Sequence, residues 1–171
     1  MQQEENPKSP WFMLGCAALL AFGMYAPMFC IPPMEHIISE ELALSHAQAS
    51  LLFTLPLIIF AAIAIPSGLL ADRIGIRKAA GIGVIMVVVG SLMRGAFASF
   101  TPLLAFTFLF GIGFALIYPN LPKLVGTWFQ REKAGLATGL YVTGMTLGPA
   151  LALAITIPLI YPVTNTFQGT I

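Results

Sequence analysis

The chain has 171 residues, of which 58% are hydrophobic and only 9% charged, and its mean hydropathy is +0.90. A soluble domain carries about 25% charged residues, so this composition excludes a water-soluble globule and makes a lipid bilayer the solvent. The net charge of +1 argues against a nucleic-acid partner, which needs a basic face.

Glu4 and Glu5 open the chain, with Lys8 the only cation ahead of the first apolar run. That run is too long for a secretory leader, and no small-residue cleavage site is evident, so it reads as a retained span. A hydrocarbon core about 30 Å thick needs about 20 apolar residues per helix. Five stretches meet this, over about 11–31, 49–71, 79–98, 103–125 and 134–160. The first is expected to stop at Pro32 and Pro33. It carries both cysteines, Cys16 and Cys30, which would lie about 21 Å apart on one helix, too far for a disulfide. Both are expected as small buried groups. Ser45 and Gln48 fit a capping box that starts the second span. Pro56 and Pro66 fall inside the second span and Pro149 and Pro158 inside the fifth; neighbouring helices can satisfy the carbonyls they free. Trp128 and Phe129 are expected as an aromatic anchor at the end of the fourth span. Beyond Ile160 the sequence turns polar and then back toward apolar, like the approach to a sixth span, and the chain reads as a fragment.

Cations set the orientation. Lys8, the group Arg73, Arg77 and Lys78, and the group Lys123, Arg131 and Lys133 all fall on one side of the predicted membrane. The other side has Glu35, Glu40, Glu41, His36 and His46, with no Lys or Arg in its loops. The positive-inside rule places the N-terminus in the cytoplasm of a multi-pass protein of the cell membrane.

The loop between the second and third spans carries the pattern Gly68, three residues, Asp72, Arg73, one residue, Gly75, one residue, Arg77, Lys78. It resembles the loop 2–3 signature of the major facilitator superfamily at every defining position. On the fifth span, Gly135, Gly144, Gly148 and Pro149 resemble that superfamily's antiporter motif, departing where Ala152 and Leu153 replace a glycine pair. On the fourth span Gly111 and Gly113 match a further motif, but Thr107 and Phe110 stand where it has Arg and Gln. The resemblance implies an all-α membrane protein, five transmembrane helices of a six-helix half. The implied activity is secondary transport of a small solute by alternating access, with a missing C-terminal half completing the site. It also implies that Asp72 pairs across the two halves to hold one conformational state, and that spans one and four line the cavity.

The residues read independently as follows. Asp72 ends a helix, where the dipole disfavours a negative charge, so it needs a partner: Arg73, Arg77, Lys78 or another helix's N-terminus. The alternative is a solvated turn that only fixes topology. Gly75 permits a tight turn and Gly68 a close backbone approach. Gly135 with Gly139, and Gly144 with Gly148, form small-xxx-small pairs that favour close helix contact; with Pro149 they make a hinge or a plain packing seam. Tyr25, Tyr118 and Asn120 are candidate cavity residues, while Met24 and Met28 read as packing. Arg94 is expected to snorkel to the headgroups, with anion binding as the alternative. Lys123 is either an interfacial anchor or an attractor for an anion.

No Asp or Glu lies inside a span, which argues against a proton relay in this half. Arg94, Lys123 and that absence lean the substrate toward small anions. No metal is expected, since the histidines and glutamates of the second loop lack ligand spacing. No cofactor is expected either: Gly81-x-Gly83 and Gly111-x-Gly113 lack the third glycine and the strand of a dinucleotide fingerprint. The partners are then membrane lipid and a small-molecule substrate. A membrane-embedded scaffold that moves nothing is the rival reading. An intramembrane enzyme is a distant third, because Ser67 has no histidine in any span to activate it.

Overall fold

The computed structural model describes residues 10–129 and 131–160, without the side chains of residues 10, 124, 128, 131, 132, 159 and 160. Lys8, the polar stretch after residue 160 and the expected anchor Trp128 therefore lie outside what is described. The elements are α1 (Pro10–Phe29), α2 (Ile31–Glu41), α3 (His46–Ile74), α4 (Ile76–Arg94), α5 (Phe100–Ile117), a 3₁₀ turn (Tyr118–Asn120), α6 (Leu121–Trp128), α7 (Arg131–Ile155) and a π turn (Thr156–Ile160). No strand occurs among the described residues.

Five helical stretches are long and apolar enough to cross a membrane: Trp11–Glu41, His46–Ile74, Ile76–Arg94, Phe100–Thr127 and Lys133–Pro158. Their outward faces are oily, with Ile65 79%, Leu19 72% and Leu92 67% exposed. Such surfaces suit lipid and not water.

The first span does not stop at Pro32 and Pro33. The chain turns at Cys30 and re-enters a helix whose second and third residues are these prolines. Proline is tolerated in a first turn because its missing N–H has no intrahelical acceptor there. His36 and Glu40, read from sequence as loop residues, are one turn apart on α2 with Nδ1 3.4 Å from Oε2.

The second span begins as predicted. Gln48 N donates to Ser45 Oγ, and Ser45 N donates to Gln48 Oε1 at 2.9 Å. The span runs to Ile74, and a single residue, Gly75 at φ +91°, separates it from α4. Other residues disfavour that backbone conformation.

α4 lies along α5, α5 also packs on α3, and α1 lies along α7. The contacts are close because side chains are absent. A Cβ added to Gly113 of α5 would sit 2.7 Å from the Gly83 carbonyl oxygen of α4. Without hydrophobic drive between helices in lipid, such backbone approach is what van der Waals packing can exploit.

One core joins four spans through Leu14, Ala17, Ala21, Met24 and Met28 of α1, Val87 of α4, Phe110 and Phe114 of α5, and Ala137 and Tyr141 of α7. The α1 residues recur at helical spacing. Cys16 falls off that stripe and is exposed, and Cys30 is half-buried at the turn, so the expectation of two buried thiols is corrected. A second core gathers Ile31, Met34 and Ile38 of α2 with Leu52 of α3 and Leu103 of α5.

Candidate functional site: a tyrosine-lined face between two charged ends

The fourth span is interrupted where its sequence requires it. Pro119 and Pro122 have no N–H, so the carbonyls of Ala115 and Tyr118 lose their helical donors. Leu121 N–H turns to the Tyr118 carbonyl, which makes the 3₁₀ turn. The Ala115 carbonyl accepts from Ser67 of α3, with Oγ at 2.7 Å. The serine named above as a conceivable nucleophile thus serves as an interhelical donor, with its Oγ also 2.9 Å from the Ala64 carbonyl.

This turn presents Tyr118. Its ring stacks on Phe114 at 5.6 Å and meets Phe60 of α3 edge-on at 5.0 Å. Tyr25 of α1 lies 6.2 Å from it, centroid to centroid, and 5.4 Å from Phe114. Tyr141 of α7 belongs to the buried cluster on which Tyr25 and Tyr118 pack. Three phenols from three spans therefore converge on one core, half-buried at Tyr25 and Tyr118. Tyr141 was not singled out in the sequence. Its signal was being the one large residue in a stripe of small ones, Ala137, Tyr141, Gly144, Gly148 and Ala152, all buried at helical spacing.

Asn120, grouped with the tyrosines above, is held through its amide nitrogen by the preceding helical turn. It is buried, its Nδ2 donates to the Leu116 carbonyl at 2.9 Å, and its Oδ1 has no hydrogen-bond partner among the described residues.

At one end of this face Lys123 of α6 reaches Asp72 of α3, Nζ to Oδ1, at 2.9 Å. The lysine passes Gly68, where an added Cβ would lie 3.9 Å from Nζ. Arg73, Arg77 and Lys78 are exposed around this pair. Lys123, read from sequence as an anchor or an anion attractor, is here the counter-ion of Asp72.

At the other end Arg94 is fully buried, its Cζ 4.3 Å from the Phe110 ring centroid. The expected snorkelling is therefore corrected. α4 ends at Arg94 itself, and helical side chains tilt back toward the N-terminus, which directs this one into the span. Phe110, standing where the family motif has Gln, supplies the ring face. Thr107, standing where that motif has Arg, is buried and donates to the Leu103 carbonyl of its own helix at 2.7 Å.

The glycines of α7 divide into two sets. Gly144 sits on the Ala18 carbonyl oxygen of α1, and a Cβ on Gly148 would lie 3.1 Å from the Phe22 carbonyl oxygen. Gly135 and Gly139 have no such neighbour within 4 Å. Pro149, inside α7, follows the close-packed pair directly.

Residues 13–167 match the family model described as Major Facilitator Superfamily. The chain belongs to the Major Facilitator Superfamily. Among its relatives is the uncharacterized transporter YycB of Bacillus subtilis, 31% identical over 162 residues, 93% of this chain and 39% of that protein. The cyanate transport protein CynX of Escherichia coli is 26% identical over 144 residues, 84% of this chain and 37% of that one. The probable nitrate/nitrite transporter NarK2 of Mycobacterium tuberculosis is 29% identical over 125 residues, covering 71% and 31% respectively. The chain thus spans about two fifths or less of the length of these relatives. As a superfamily member with five apolar helices of spanning length, it is a multi-pass membrane protein.

Proposed function

We propose that this chain is the larger part of the N-terminal half of a secondary active transporter that moves a small anionic solute by alternating access. The observation that carries the reading is the convergence of Tyr25, Tyr118 and Tyr141 from three spans on one core, with the Tyr25 and Tyr118 rings 6.2 Å apart. Phenols on a rigid apolar wall offer oriented donors without adding a charge. In superfamily members built from two halves the solute site lies between them, so the missing C-terminal half supplies the opposite wall. The names of CynX and NarK2 support an anion as the solute.

In this reading the N-terminus is cytoplasmic and the protein sits in the cell membrane. The Asp72 loop belongs to the cytoplasmic gate, with Lys123 holding Asp72 until the other half competes for it. Gly144, Gly148 and Pro149 let α7 rock against α1. The complete protein in proteoliposomes should take up nitrate or cyanate saturably, and Tyr118→Phe should raise the half-saturating concentration about tenfold, the loss of one buried hydrogen bond to charge. The present chain alone should take up neither. Saturable uptake by this chain alone, or none by the complete protein with any small anion, contradicts the reading.

A further inference from the structure

The charge of Arg94 has no visible answer in the fold. The guanidinium is fully buried. Phe110 covers one face, and Nη2 donates to Ser91 Oγ at the long distance of 3.5 Å. Nε and Nη1 are buried with no hydrogen-bond partner among the described residues. A ring face and a hydroxyl do not neutralise a full charge, and a buried cation left without a counter-charge is among the costliest groups an interior can hold.

The described acids do not supply one. Asp72 is at the opposite end of the bundle, about 27 Å away along α4, and is engaged by Lys123. Glu35 of α2 accepts from Ser50 Oγ at 2.8 Å, with His46 3.9 Å away. Glu40 faces His36, and Glu41 is exposed. Around the guanidinium stand instead Phe110, Ser91 and Cys30, with Thr156 Oγ1 3.5 Å from the Cys30 sulfur. The groups shown around it are thus a ring, a hydroxyl and a thiol, with no carboxylate beside it among the described residues.

We infer that Arg94 is the counter-charge for a small planar anion, held at Nε and Nη1 in an occluded site beside Cys30 and Thr156. The inference rests on the transport reading for its source of anion, and adds a charged station apart from the tyrosine face. A guanidinium suits planar anions because its N–H groups lie in one plane. The rings of Phe110, Phe114 and Tyr118 form a continuous stack, at 6.3 Å and 5.6 Å, leading from Arg94 to the tyrosine face. Both backbone segments beside the site are irregular. Pro27, Pro32 and Pro33 interrupt the hydrogen bonding of the first span, and Thr156–Ile160 is wound as a π turn. Such interruptions are where helices bend, so opening the site requires no melting of a regular helix.

The test uses the complete protein in detergent, with thermal unfolding followed as sodium nitrate replaces sodium gluconate at fixed ionic strength. Nitrate should raise the Tm of the wild type saturably. Arg94→Gln should weaken that response at least thirtyfold, and Arg94→Lys, which keeps the charge and loses the fork, about tenfold. Without nitrate, Arg94→Gln should unfold no lower than the wild type, because it removes an unanswered charge. Should Arg94→Gln fail to fold, the Arg94→Lys titration decides. A saturable nitrate response unchanged in the variants overturns the inference. So does no response in the wild type to nitrate, cyanate or acetate. A Tm deficit in Arg94→Gln that is equal with and without nitrate also overturns it, and points to a carboxylate from the rest of the protein. Uptake that persists unaltered in Arg94→Gln sinks this site and leaves the transport reading. A protein that binds nitrate through Arg94 and transports nothing does the reverse.

Discussion

Lys123 Nζ and Asp72 Oδ1 are 2.9 Å apart, although 51 residues separate them in the chain. The contact ties the end of the second span to the end of the fourth. It gives an aspartate at a helix C-terminus the positive neighbour its position demands. Both side chains remain about half exposed, at 43% and 58%, so the bond is easily exchanged for another partner.

An exposed pair of this kind contributes about 0.2–1 kcal/mol. Lys123→Met should therefore lower the stability of the complete protein by no more than this, and less at high salt. The charge exchange Asp72→Lys with Lys123→Asp should recover stability lost in either single variant. Unfolding curves at two salt concentrations check both statements. A salt-independent loss of several kcal/mol would show that Lys123 does something other than pair.

The two glycine pairs of α7 should behave oppositely. Gly144→Ala forces a Cβ onto the Ala18 carbonyl and should cost about 1–3 kcal/mol, as overpacking does. Gly139→Ala meets nothing within 4 Å and should be neutral or stabilising by about 0.5–1 kcal/mol, through helix propensity. Equal effects at the two positions would contradict the placement of α1 against this face.

Ser67 and Pro119 should be coupled. Ser67→Ala leaves the Ala115 carbonyl without its donor and should cost roughly 1 kcal/mol. In the double variant with Pro119→Ala, the new backbone N–H can take over that carbonyl. The loss should then be smaller than the sum of the two single losses. A double-mutant cycle on unfolding free energies measures the difference, and strict additivity would refute the explanation of the 3₁₀ turn.

Much of the fold was legible because it is local. Five apolar runs of spanning length, the Ser45 and Gln48 cap and the Gly75 turn each depend on neighbours in sequence. Pro32 and Pro33 misled for a local reason as well: the same residue stops a helix in its interior and starts one in its first turn. The site was legible only in part. Tyr25 and Tyr118 stood out as polar groups in apolar spans. Lys123 with Asp72, Ser67 with Ala115, and Arg94 with Phe110 join different helices, and no spacing rule reaches that far. Arg94 was misplaced because sequence gives a residue's distance from a helix end but not the direction its side chain takes.

Accessibility at Tyr118 tests the central claim of alternating access most directly. A single cysteine replacing Tyr118, in the complete protein with Cys16 and Cys30 replaced by serine, is labelled from each side of the membrane by an impermeant thiol reagent. The tyrosine face should react from both sides, and nitrate or cyanate should shift the balance between them. Reaction from neither side, or from one side only and unmoved by either anion, would contradict the account.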